Sequence, residues 1–168
     1  MTLAADLLDQ AAHLAALERG KPKQASLRRA ISSAYYSLFH LIVDDASRYL
    51  VSGSRLRPAV ARSFEHQAVR AAAEALGAVS RKPTGEHWFR PHVNDPLSPD
   101  LTFICDAFIN LQERRHKADY DTGATFTRVQ ASGAVSMARN AQLLWPPQRN
   151  THNARAFILA SAKLLRAR

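Results

Sequence analysis

Gln112-Glu113-Arg114-Arg115-His116-Lys117-Ala118-Asp119-Tyr120-Asp121 closes a helix whose apolar face decides the fold. Leu101, Ile104, Phe108 and Leu111 precede it at three-and-four spacing, the period with which a helix lines a core. Four residues on, the stripe meets Arg115, and three beyond that Ala118. A guanidinium at the foot of an apolar stripe is costly unless it is paired or lies at a seam open to water. Asp119, one turn further, is spaced to pair with it. Asp44 or Asp45, on a long helix upstream, are alternative partners that would reach across from a neighbouring element. With His116, Lys117 and Tyr120, this is the densest group of titratable side chains in the chain.

Working outward, every other segment also reads as helix or connection. Thr2 caps a first helix reaching about Glu18, with Leu3, Leu7, Leu14 and Leu17 expected inward and Gly20 and Pro22 as the stop. The longest helix runs from about Gln24 to Leu50. Leu27, Ile31, Ala34, Tyr35, Leu38, Ile42 and Tyr49 form its main stripe, and Tyr36, Phe39 and Val43 widen it. So broad an apolar surface belongs to a central helix. His40, Asp44 and Asp45 interrupt it. Arg57 to about Val79 is a third helical region, bent or in two pieces, with Pro58 in its first turn.

Ser80–Leu97 is a Pro- and Gly-bearing loop long enough to be functional. It holds His87, Trp88, Phe89, Arg90 and His92, a basic-aromatic cluster suited to stacking on unpaired bases, or else folded down to cap the bundle. Ser98, Pro99 and Asp100 open the key helix with a cap, a proline at its first position and an acid in its first turn. Thr127 and Gln130 form a capping box for a fifth helix, expected to end at Pro146 and Pro147. A last helix, about Thr151 to Leu165, places Phe157, Ile158 and Leu164 on one side. The pattern predicts an all-α fold of about five to six helices. Residues 1–145 form the bundle and residues 146–168 a basic helical extension.

Of the 168 residues, 46% are hydrophobic, enough for one domain with a real core. A single cysteine, Cys105, excludes a disulfide framework and a thiolate zinc site. His87 and His92 lack a third ligand at metal-site spacing, so no metal and no cofactor is expected. No basic leader and no membrane-length apolar run is visible, so the chain reads as cytoplasmic. The net charge of +9 is lopsided. After Asp121 there is no acidic residue, while Arg128, Arg139, Arg149, Arg155, Lys163, Arg166 and Arg168 are all basic. Such a segment favours a polyanion such as nucleic acid, or an acidic protein face.

Arg115-His116-Lys117-Ala118-Asp119-Tyr120-Asp121 after an apolar helix resembles the HEPN domains, in the branch whose signature ends in Ala-Asp-Tyr. Ser33-Ala34-Tyr35-Tyr36-Ser37-Leu38-Phe39-His40 is similar to the Ala-Tyr-Tyr-x-x-Phe-His helix of the same group and lies upstream, as that family requires. The resemblance implies an up-and-down helical bundle that pairs into a homodimer. It also implies kinship with small HEPN proteins that form toxin-antitoxin pairs with a nucleotidyltransferase. Active members are metal-independent endoribonucleases with an Arg-x4-6-His motif. Here Arg115 matches the arginine and His116 the polar position after it, but Tyr120 stands where the terminal histidine is expected.

Metal-free RNA cleavage needs a base for the 2′-OH, an acid for the leaving oxygen and positive charge against the phosphorane. The candidate catalytic residues are Arg115, His116, Asp119 and Tyr120. An imidazole titrates near neutrality, whereas a phenol is about one part in a thousand ionised there, so Tyr120 is a poor base. Arg114, Lys117, Trp88, Arg90, Arg149 and Arg155 are the candidate nucleic-acid contacts. Two readings stand: a nucleic-acid or partner-binding module, slightly preferred, and a metal-independent ribonuclease.

Overall fold

A computed structural model of the chain describes residues 2–165; Arg166 and Arg168 of the basic segment lie outside them. Seven α-helices and one short 3₁₀ turn account for the regular structure, with no strand among the described residues. They are α1 (Leu3–Ala16), α2 (Gln24–Leu50), α3 (Arg57–Ser63), α4 (His66–Arg81), the 3₁₀ turn Arg90–His92, α5 (Pro99–Tyr120), α6 (Arg128–Gln148) and α7 (His152–Ser161). The protein is all-α, as the periodicity predicts. Seven helices stand against the expected five to six, because the third region, expected to be bent or in two pieces, is two helices. Phe64, in extended conformation and buried, separates α3 from α4.

The expected starts of α1 and α6 are met by the expected side chains. Thr2 Oγ1 accepts from the backbone N–H of Ala5, capping α1. At α6 the capping box closes from both sides. Thr127 N–H donates to Gln130 Oε1 at 2.8 Å, and Gln130 N–H donates to Thr127 Oγ1 at 3.2 Å. α6 includes Pro146 and Pro147 and ends one residue later, at Gln148. Proline's fixed φ is helical, and near a C-terminus few later turns depend on the hydrogen bonds it deletes. The backbone N–H of Arg149 still reaches Trp145 O at 2.9 Å.

The chain folds as two compact units, each discontinuous in sequence: Met1–Leu41 with Asn110–Leu143, and Ile42–Ile109 with Leu144–Arg168. In the first unit Ala4, Leu8, Ala11 and Ala15 form the buried face of α1, while Leu3 and Leu17 are exposed. The expected Leu3/Leu7/Leu14/Leu17 stripe is thus turned about one position round the helix. The buried face is made mostly of alanines, small residues that let backbones pack closely. Leu27, Ile31, Ala34, Tyr35 and Leu38 of α2 are buried as expected, as are Leu111 and Ala118 of α5.

In the second unit α4 packs against α7. Val69, Ala72, Leu76 and Val79 of α4 and Phe157 and Ile158 of α7 are buried, as are Leu101, Ile104 and Phe108 of α5. Trp145, fully buried, donates its indole N–H to Asp45 Oδ2 at 2.6 Å. α7 is therefore a packed helix of this unit. Among the described residues no helix is long and apolar enough to cross a membrane.

Candidate functional site

The first unit gathers the residues of the Arg-His-x-Ala-Asp-Tyr stretch with one polar edge of α2. Arg28, Ser32, Tyr36 and His40 recur every four residues on α2, a spacing that puts them along one side of a helix. Arg28 donates from Nη1 to Ala118 O at 2.7 Å and from Nη2 to Asp121 O at 2.9 Å, so it ties down the carbonyls that α5 leaves unpaired at its end. Beside it Gln24 makes a two-way bond with the Phe126 backbone, 2.8 Å in each direction. The ends of α5 and α6 are thus held by the first turns of α2.

One turn along, Ser32 Oγ donates to Asp119 Oδ1. The other carboxylate oxygen, Oδ2, lies 2.8 Å from Arg115 Nε, in a pair only 17% and 19% exposed. Its attraction is that of an ion pair, since the Nε–H does not point along the line to the oxygen. A further turn along, Tyr36 Oη accepts from Arg115 Nη2 at 2.7 Å. Tyr120 Oη accepts from the same nitrogen at a long 3.5 Å. The guanidinium lies over both phenol rings, 5.3 Å from each centroid, and 6.0 Å from that of Tyr35. Its Nη1 group has no protein hydrogen-bond partner among the described residues.

The Asp44 and Asp45 alternatives are therefore corrected. Asp44 pairs with Arg48 one turn away, and Asp45 holds Trp145 and Arg149. Arg115 takes its carboxylate from its own helix because an i,i+4 neighbour is already in place, and it takes a neutral phenol from α2. Burial pulls the Arg115 pKa down, but the Tyr36, Asp119 and Tyr120 side chains outweigh it and hold the value above normal. Burial pushes the Tyr35 phenol far up against the opposing pull of the Arg115 charge. Burial also lowers the His40 imidazole below its usual value, favouring the neutral ring.

His116 and Tyr120 form the open side of the site. Their rings sit 5.0 Å apart, and Tyr120 is 62% exposed. His40 flanks the other side, its ring 6.3 Å from Tyr36 in stacked orientation. Arg114 is bound to Asn110 Oδ1 at 2.6 Å, and Lys117 is exposed.

No family model, curated protein or solved structure matches this chain.

The other candidate contacts belong to the second unit and form separate groups there. Arg90 grips both carboxylate oxygens of Asp95. Trp88 is half-buried among the rings of His87, Phe89 and His92, and Phe89 is fully buried. Arg149 is paired with Asp45 at 3.4 Å. Arg155 lies over the Tyr49 ring at 5.3 Å. Among the described residues no three His, Cys, Asp or Glu side chains converge as a metal site. Arg28 and Ser32 lie outside both sequence motifs. The four-residue polar ladder they share with Tyr36 and His40 was the available signal.

Proposed function

We propose that the chain is a HEPN-like module that binds single-stranded RNA through Arg115, His116 and Tyr120. On this reading it acts in the cytoplasm as a homodimer, within a toxin-antitoxin-type pair whose other member is a nucleotidyltransferase. The observation that carries it is the state of Arg115. Its guanidinium is oriented by Tyr36 and Asp119, has no bond to Nη1 among the described residues, and lies beside the exposed His116–Tyr120 ring pair. A fixed guanidinium suits a phosphate, and adjoining rings suit an unstacked base. Lys117 and the acid-free segment after Asp121 add charge that favours a polyanion.

The test is fluorescence anisotropy with a labelled single-stranded RNA at low salt. Arg115→Ala should weaken binding about tenfold, and Arg115→Lys should not restore it, because the planar fork is lost. Unchanged affinity in both variants overturns the site. Light scattering addresses pairing, since a homodimer weighs twice the 18.6 kDa chain.

The second reading is a metal-independent endoribonuclease. It is favoured by the closeness of the His116 ring to Tyr120, whose phenol reaches Arg115. Incubation of RNA with EDTA present tests it. Cleavage lost in His116→Ala names the imidazole, and cleavage lost in Tyr120→Phe names the phenol. No cleavage by the unaltered protein leaves the binding reading alone.

A further inference from the structure

The second unit holds a cavity of about 400 Å³ beside the packed pair α4 and α7. Ala68, Ala71 and Ala72 of α4 and Ala160 of α7 line it, and Trp88, Lys163 and Leu165 complete its walls. Four alanines withhold side-chain volume there, and the surface they leave is apolar. Trp88 is held by the rings of Phe89 and His92, 5.2 Å and 6.5 Å away, so the aromatic wall is fixed.

Lys163 sets this cavity apart. It is the one charged residue in the walls. Among the described residues it is also the one non-glycine residue with a positive φ, at 60°. The left-handed turn closes α7. The Lys163 N–H donates to Ala160 O and the Leu164 N–H to Leu159 O, each at 2.9 Å. Glycine is the residue that such a position favours. A lysine there is strained, and strain of this kind clusters at ligand clamps. What lysine adds over glycine is an amine, whose Nζ donates to Glu65 Oε1, at the start of α4, at 2.6 Å. That pair is open to water, its side chains 45% and 63% exposed, so it is weak and yields readily. An ammonium carries three donors and can take a ligand carboxylate beside that of Glu65.

We propose that this cavity binds a small aliphatic carboxylic acid, its chain along the alanines and the Trp88 ring and its carboxylate on Lys163. Alanine methyls offer no hydrogen bond to a polar body, so the walls select hydrocarbon. The lone cation selects an anionic head over an alcohol. The volume lies at the small end of ligand pockets, about 300–1,000 Å³, which suits one short chain and not a two-chain lipid. None of these residues belongs to the Arg115 site, so either proposal can fail without the other.

The chain has two tryptophans, and Trp145 is fully buried on Asp45, so a ligand-induced change in emission reports Trp88. Titration with decanoate should shift that emission saturably at sub-millimolar concentration, and Trp88→Phe should remove the shift. Decanol should bind about tenfold more weakly by calorimetry. Ala71→Leu puts a helix-favouring side chain into the cavity and should cost about tenfold or more in decanoate affinity. Lys163→Gly keeps the left-handed turn and removes the amine. Its melting temperature should hold or rise, while decanoate affinity falls to that of decanol. Decanol binding as tightly as decanoate overturns the proposal, as does unchanged decanoate affinity in Lys163→Gly or in Ala71→Leu. So does the absence of both heat and emission shift up to about 2 mM decanoate.

Discussion

Tyr36 Oη accepts a hydrogen bond from Arg115 Nη2 at 2.7 Å, joining residues 79 apart in sequence. Tyr36 thereby selects one orientation of a side chain that would otherwise sample many. Tyr36→Phe keeps the ring and its contact with the guanidinium but deletes the acceptor. It should cost about 0.5–1.5 kcal/mol in urea unfolding. RNA affinity should fall by a smaller factor than in Arg115→Ala, because the cation remains. Equal losses in the two variants would show that orientation by Tyr36, not the charge itself, is what binding requires.

Asp119 is held on both oxygens, by Ser32 and by Arg115. Asp119→Ala strands a guanidinium that is mostly out of water. The expected loss is about 1–3 kcal/mol, and Ser32→Ala should lose about 1 kcal/mol. The double variant should cost less than the sum of the two, because both act on one carboxylate. Strict additivity in a chemical-denaturation cycle would refute the shared network.

Salt dependence reports phosphate contacts. Deleting the C-terminal residues is the wrong probe, because Phe157 and Ile158 of α7 are buried in the second unit. Substitution is the right one. Arg139 is exposed. If it meets RNA, Arg139→Gln should flatten the log-log slope of affinity against salt by about 0.7. An unchanged slope removes Arg139 from the RNA contact.

His40 provides a pH test. Burial lowers its pKa below 6.5, so between the two values the unfolded state binds more protons than the folded one. Its contribution to stability is therefore intact above about pH 6.5 and is lost as pH falls through that window toward the folded pKa. His40→Gln should lose less melting temperature than the unaltered protein between about pH 7.5 and pH 5.5. An identical drop would mean that the imidazole is solvated in the folded state.

Much of the architecture was legible in local chemistry. The Leu101/Ile104/Phe108/Leu111 stripe is buried throughout, Thr2 caps α1, and Thr127 with Gln130 closes the box at α6. Each is a relation between residues three or four apart, fixed by helical geometry before any packing takes place. The Arg115–Asp119 pair is legible for the same reason.

Relations across sequence distance were settled by packing. α1 turns Ala4, Leu8, Ala11 and Ala15 inward, a choice that periodicity could not make between its leucine-rich and alanine-rich stripes. That α7 docks on α4 depends on surfaces more than 60 residues apart. The setting of Arg115 divides the same way. Its carboxylate partner is one turn away on α5, but its phenol partner lies on α2. A half-buried guanidinium must find acceptors, which the stripe demands; which acceptors it finds depends on the neighbours that folding brings within reach.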